Sequence, residues 1–184
     1  MASIVAIVRL FLASRRMRGT VQALTDLVGS EARVAVSANA LDMEAEALRQ
    51  EWLGNEMRAL SSAGLAPVEV DLRDFYADSA ALVELLARRD MVWATGGNVF
   101  VLRKALKQSR LDQLLLAHVR DDSLAYGGCS AGACVCGPTL RGIDLVDTRT
   151  LMESRSSTAW GWSTTRSHRT SDATAHSARR WLDL

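Results

Sequence analysis

The segment Gly128-Cys129-Ser130-Ala131-Gly132 sets a serine between two glycines at Gly-x-Ser-x-Gly spacing. That spacing is the pattern of a nucleophile elbow, a hydroxyl on a sharp turn between a strand and a helix. The requirement is steric. The nucleophile sits in a strained backbone, and small neighbours let the chain bend and a substrate approach. A helix that begins right after the serine offers unpaired N–H groups and the positive end of its dipole. Ser130 is therefore the candidate nucleophile, and the N–H of Ala131 is a natural donor to an oxyanion. The pentapeptide alone arises by chance in about one chain of this size in twenty, so its surroundings must decide. The competing reading is a glycine-rich turn that serves backbone geometry only.

A second turn, Thr95-Gly96-Gly97-Asn98, follows another apolar run. Read alone it is a tight strand-to-helix turn with Asn98 as the helix cap. Its functional reading is a second backbone N–H for an oxyanion, supplied by Gly97. No Gly-Lys-Ser/Thr follows, so it is not a phosphate loop. Cys129, Cys134 and Cys136 lack zinc-ligand spacing and read as structural thiols around a packed helix. Cys129 adjoins the elbow, so a thiol nucleophile is an alternative, but the elbow position itself belongs to Ser130. The basic segment Arg15-Arg16-Met17-Arg18 reads as a solvated loop, or as an attractor of carboxylates if it follows the carboxyl end of a strand.

Both turns need a strand before them and a helix after them, and the chain supplies such an alternation. Strands are expected at Ile4–Ala13, buried on both faces, and at Ala32–Ser37, Pro67–Leu72, Asp90–Thr95 and Ser123–Gly127. Helices are expected at Thr20–Val28, from a cap at Asp42 to about Ser61, at Asp78–Arg88, Val99–Lys107 and about Leu111–Val119, and from Ala131 onward. In the second helix Leu48, Trp52, Leu53, Met57 and Leu60 fall on one stripe and are expected to be its buried face. Alternating strands and helices predict an α/β fold, an open, mostly parallel sheet with helices on both faces. Ligands bind such sheets outside the carboxyl ends of the strands, which is where the two glycine turns fall.

At this point the residues carry a resemblance. Ala94-Thr-Gly-Gly-Asn-Val-Phe-Val-Leu-Arg103 resembles the Gly-Gly-Asn-Thr/Val-Phe signature of the peptidase E family. Tyr126-Gly-Gly-Cys-Ser-Ala-Gly-Ala-Cys-Val-Cys-Gly-Pro-Thr-Leu-Arg141 is similar to that family's nucleophile segment. The two motifs stand in the family's order, and the resemblance covers roughly Ile4 to Asp147. The family includes aspartyl dipeptidases and the related cyanophycinases. The resemblance implies a fold similar to class I glutamine amidotransferases, a serine nucleophile with a histidine base, and no metal or organic cofactor. Carried over by position, it makes Ser130 the nucleophile and the N–H groups of Gly97 and Ala131 the oxyanion donors. Thr95 stands where the family often has a third glycine. The implied activity is hydrolysis of short peptides, aspartyl dipeptides among them. The implied partner is a short peptide substrate.

A serine hydroxyl needs a base within hydrogen-bond reach. In the family that histidine lies downstream, in a Pro-His-Phe-like strand end, and no such segment occurs here. His118 precedes the nucleophile and reads as a helix-surface residue. His168 and His176 follow it in serine-rich surroundings. Asp144 and Asp147 are the nearest downstream carboxylates, each a loop residue or an orienting group, and the acid is left unassigned. The alternatives to an active peptidase are therefore an inactive member without its base and a binding module on the same scaffold.

Composition changes at the same place. The 32 residues from Glu153 to Leu184 contain no Val, Ile, Phe or Tyr, twelve Ser or Thr, and three of the five Trp. Residues before them carry net charge −1 and these carry +2. Two regions are expected: 1–147, a peptidase E-like α/β domain incomplete at its C-terminal end, and 148–184, a divergent tail. The tail reads as disordered or as a shifted reading frame. The whole chain of 184 residues has net charge +1, which gives no electrostatic argument for nucleic acid or an anionic membrane. Three clustered cysteines exclude a disulfide-framed scaffold. The N-terminus lacks a basic n-region, Arg9 interrupts its apolar run, and no run approaches the roughly 18 apolar residues of a spanning helix. A cytoplasmic location is expected, and the oligomeric state is left open.

Overall fold

A computed structural model of the chain describes residues 9–14, 21–143 and 147. Among the described residues five strands, β1 (Leu10–Ala13), β2 (Arg33–Ser37), β3 (Ala66–Glu69), β4 (Met91–Ala94) and β5 (Ala125–Cys129), form one sheet in the order β1-β5-β4-β2-β3. Every pairing is parallel. Six helices connect or follow them: α1 (Val21–Val28), α2 (Glu46–Ser62), α3 (Ser79–Leu86), α4 (Val99–Gln108), α5 (Leu111–Arg120) and α6 (Ala131–Cys134). Short 3-10 turns at Asn39–Leu41 and Leu72–Phe75 follow β2 and β3. The expected α/β class is observed.

Period-two alternation of side chains divides each central strand between two cores. Ala35, Val92, Ala94 and Tyr126 face Leu82 and Leu86 of α3, Leu102 and Leu106 of α4 and Leu115 of α5. Val34, Val36, Met91, Trp93 and Ala125 face Leu24 of α1 and Leu53 and Leu60 of α2. From β2 the chain moves outward to β3, and from β4 it moves the other way to β5. Strand order therefore switches between β2 and β4, and ligands of open parallel sheets bind beyond the carboxyl ends of the strands at such a switch.

Four elements depart from the sequence pattern, among them β3, which ends at Glu69 rather than at Leu72, the first residue of the following 3-10 turn. The first expected strand is partly outside the described residues, and what is described is an edge: β1 pairs with β5 alone, and Leu12 is 47% exposed rather than buried on both faces. α2 begins at Glu46, with Ala45 rather than Asp42 at its cap position, because the Asp42 carboxylate accepts from the Asn39 amide instead. Its inner face carries Arg49, Leu53 and Leu60, while Leu48 and Trp52 are 38% and 40% exposed. β5 runs two residues later than expected, which brings its end directly to Ser130. Pro67 is tolerated in β3 because that strand is an edge, paired only with β2. Among the described residues no helix is long and apolar enough to cross a membrane. The expected tail of 148–184, with His168 and His176, lies outside the described residues, as do Asp144 and the basic segment 15–18.

Candidate active site

Ser130 sits between β5 and α6 at φ 50°, ψ −112°. Positive φ with that ψ lies outside the left-handed helical well, and a non-glycine residue there costs about 1–3 kcal/mol. Backbone bonds hold it. Its N–H donates to the Ala13 carbonyl at 2.9 Å, and its carbonyl accepts from Ala133 and Cys134 at 2.9 and 2.8 Å. Its side chain makes no helix-capping bond, and the residue is exposed. The hydroxyl is thus presented rather than consumed.

The small residues around it are explained by contact. A Cβ on Gly132 would strike the Ala94 carbonyl, and one on Gly128 would stand 2.7 Å from the Gly132 carbonyl carbon. Both glycines let α6 press against the ends of β4 and β5. The second turn lies alongside: a Cβ on Gly96 would be 3.3 Å from that of Ser130. Gly97 has φ 140°, and its Cβ would stand 2.5 Å from the Ala40 carbonyl oxygen, so only glycine fits.

The α4 helix that follows is fully capped. Asn98 accepts from Phe100 and Val101 N–H at 2.9 and 3.1 Å, as its cap position predicts. The Asp147 carboxylate accepts from Val99 N–H at 2.7 Å, a negative charge at the positive end of α4. The N–H groups of Gly97 and Ala131 have no partner among the described residues. The sequence-predicted trio of Ser130, Gly97 and Ala131 therefore occupies two adjoining turns at the carboxyl end of the sheet.

The thiols are placed differently. Burial, reinforced by the Glu56 charge, pushes the Cys129 thiol up to about 12. Burial likewise pushes Cys136 up to about 12 and raises Cys134. Protonated and enclosed, Cys129 is no rival nucleophile. His118 is the one histidine among the described residues. Its Nδ1 lies 2.9 Å from the Ser123 hydroxyl, at the amino end of β5, roughly 20 Å along the strand from Ser130. Among the described residues no group of three His, Cys, Asp or Glu is placed to hold a metal ion.

Sequence reasoning passed over the loop after β2. Ser37 and Asn39 are buried, and Ala40 supports the Gly97 turn through a bond from Asn98 N–H to its carbonyl at 2.8 Å. The available signal was polar residues at the carboxyl end of a strand beside the switch in strand order.

Known proteins resemble this chain in sequence and in fold. An uncharacterized peptidase of Listeria innocua is 36% identical over 90 residues, 49% of this chain and 42% of the relative. One of Listeria monocytogenes is 33% identical over the same share of each. The matched stretch spans under half the length of either curated relative. The crystal structure of a peptidase E candidate from Listeria monocytogenes superposes with TM-score 0.69 at 26% identity, over 84% of this chain and 75% of that one. A peptidase from an acI-B1 Actinobacterium shares the fold, with TM-score 0.58 at 18% identity over 72% and 58%. The family model of peptidase family S51 matches residues 13–166, which takes in the elbow, the glycine turn and the strands that carry them. On that match the chain belongs to peptidase family S51.

Proposed function

We propose that the protein is a serine-type peptidase acting on short peptides, aspartyl dipeptides among them. The observation that carries this reading is the strained, exposed Ser130 beside two backbone N–H groups without partners among the described residues. In the proposed reaction Ser130 Oγ attacks the scissile carbonyl carbon, and its proton passes to a base. The carbonyl oxygen becomes an oxyanion and accepts from Gly97 and Ala131 N–H, each worth about 3 kcal/mol of transition-state stabilisation. Collapse of this intermediate breaks the C–N bond, the amine leaves with a proton from the base, and water hydrolyses the acyl-enzyme. His118 faces the wrong end of β5 for the base. His168 and His176 are the remaining histidines of the chain.

The inactive-member reading draws on that same observation. Two measurements separate the readings: turnover of aspartyl dipeptides, and labelling by a fluorophosphonate probe. An active serine peptidase does both, and Ser130→Ala abolishes both. Labelling of Ser130 without turnover supports an inactive member. Turnover that survives Ser130→Ala overturns the nucleophile assignment. Specific ligand binding that is indifferent to Ser130→Ala, without labelling, supports a binding module.

A further inference from the structure

Asn39 lies just past the carboxyl end of β2, fully buried, and its side-chain amide uses both of its ends. Oδ1 accepts from the Ser37 hydroxyl at 2.9 Å and from Leu72 N–H at 3.0 Å. Nδ2 donates to Asp71 at 2.9 Å and to the two Asp42 oxygens at 3.0 and 3.2 Å. The partners come from the end of β2, from the turn after it and from the turn after β3. A buried amide bonded on every side fixes all three against one another.

The next residue carries that rigidity to the site. The Ala40 carbonyl accepts from Asn98 N–H and stands against the Cα of Gly97. Gly96 in turn stands against Ser130. A chain of contact runs from Asn39 through Ala40 and the Gly97 turn to Ser130.

We propose that Asn39 is a positioning residue for the oxyanion turn, clamping the Ala40 carbonyl so that Gly97 N–H is held toward the carbonyl that Ser130 attacks. This rests on the reading of Gly97 as an oxyanion donor. Donors of this kind act because they are already in place when charge develops. A misplacement of about 1 Å is enough for a roughly 10²-fold loss.

Two variants probe the clamp. Asn39→Ala removes every bond of the amide. Asn39→Asp keeps the acceptor for Ser37 and Leu72 but turns a negative charge on Asp42 and Asp71. Hydrogen exchange at the Asn98 amide reads the Ala40 contact directly. The fluorophosphonate labelling rate of Ser130 reads the oxyanion turn. Both variants are expected to exchange Asn98 at least tenfold faster and to label about 10²-fold more slowly. On a hydrolysed dipeptide, kcat should fall by a similar factor with KM changed less than about threefold. Arg33→Ala breaks the Arg33–Asp90 pair at the opposite, amino end of the sheet and serves as the stability control. It should leave the labelling rate unchanged.

Wild-type Asn98 protection and labelling in a folded Asn39 variant would overturn the clamp. Should neither Asn39 variant fold, Ser37→Ala removes one donor to Oδ1, together with the longer bond that the Ser37 hydroxyl accepts from Asn39 N–H at 3.4 Å. A severalfold effect there supports the clamp, and no effect overturns it. If the wild-type protein neither labels nor hydrolyses, the peptidase reading fails while Asn98 exchange still decides the clamp. If it labels and the variants match it, the peptidase reading stands and the clamp falls.

Discussion

Ser130 and Gly97 hold uncommon backbone conformations for opposite reasons. Ser130 is strained despite its side chain, and Gly97 is permitted because it has none. Gly97→Ala would add a Cβ at φ 140°, 2.5 Å from the Ala40 oxygen. The expected result is a loss of about 1–3 kcal/mol, seen as a lower melting temperature, and slower labelling of Ser130. Ser130→Ala relieves no such clash. It should keep the melting temperature while turnover falls by a factor on the order of 10⁶. The thiols give an outcome in reactivity. Because Cys129 and Cys136 are pushed up to about 12, their thiolates are scarce at neutral pH. Iodoacetamide should modify them slowly in the native protein and rapidly after denaturation, as read by mass spectrometry. At this scale the sequence was informative where residue type alone decides, in the glycines and the serine. It was silent on Asn39, whose role depends on Asp71, thirty-two residues away.

At the scale of elements, α2 shows why a stripe can mislead. Leu48 and Trp52 lie beside Arg49, Leu53, Met57 and Leu60, and either row satisfies helical spacing. The inner row is chosen by charges from elsewhere. Arg49 is buried against Asp42, Glu46, Glu69 and Asp71 at 3.0 to 3.8 Å, with partners on β3 and the turns after β2 and β3. Arg49→Met should destabilise the fold by about 3–5 kcal/mol, because it strands partly buried carboxylates. Denaturant melts would measure that loss.

Asp71 sets the acid side of the stability profile. Burial works against its charge, but hydrogen bonds from Arg73 and Asn39 overcome that and hold it at about 2. A depressed carboxylate stabilises the fold above its unfolded value and loses that contribution as pH falls from about 4 to about 2. Asp42 runs the other way, since burial raises it despite the Asn39 bond. Its protonation on acidification offsets part of the loss. Asp71→Asn should flatten this acid limb in melting temperature measured across the same range.

Over the whole molecule, the alternation of apolar runs announced an α/β fold with helices on both faces of the sheet. Strand order and the pairing of β1 at one edge did not follow from that alternation, because they are set by which surfaces meet after collapse. The family match runs to residue 166, past the expected boundary at 147 and the change in composition at Glu153. The shifted-frame reading of residues 148–184 makes one concrete forecast. Translating the coding DNA beyond codon 147 in the two alternative frames should yield, in one of them, a β-branched continuation bearing a histidine. If neither frame does so, that reading is dismissed.

The bond from Ser130 N–H to the Ala13 carbonyl has a consequence for biosynthesis. It joins positions more than a hundred residues apart, and the register of β1 on β5 continues it through Leu10 opposite Tyr126. Contacts of such high sequence separation form late, because loop closure must precede any gain. A nascent chain therefore carries its serine for some time before the turn is braced from behind. On the proposed reading of Ser130 as the nucleophile, reactivity at this position is tied to completion of the sheet, because the turn is braced only once β1 has paired with β5.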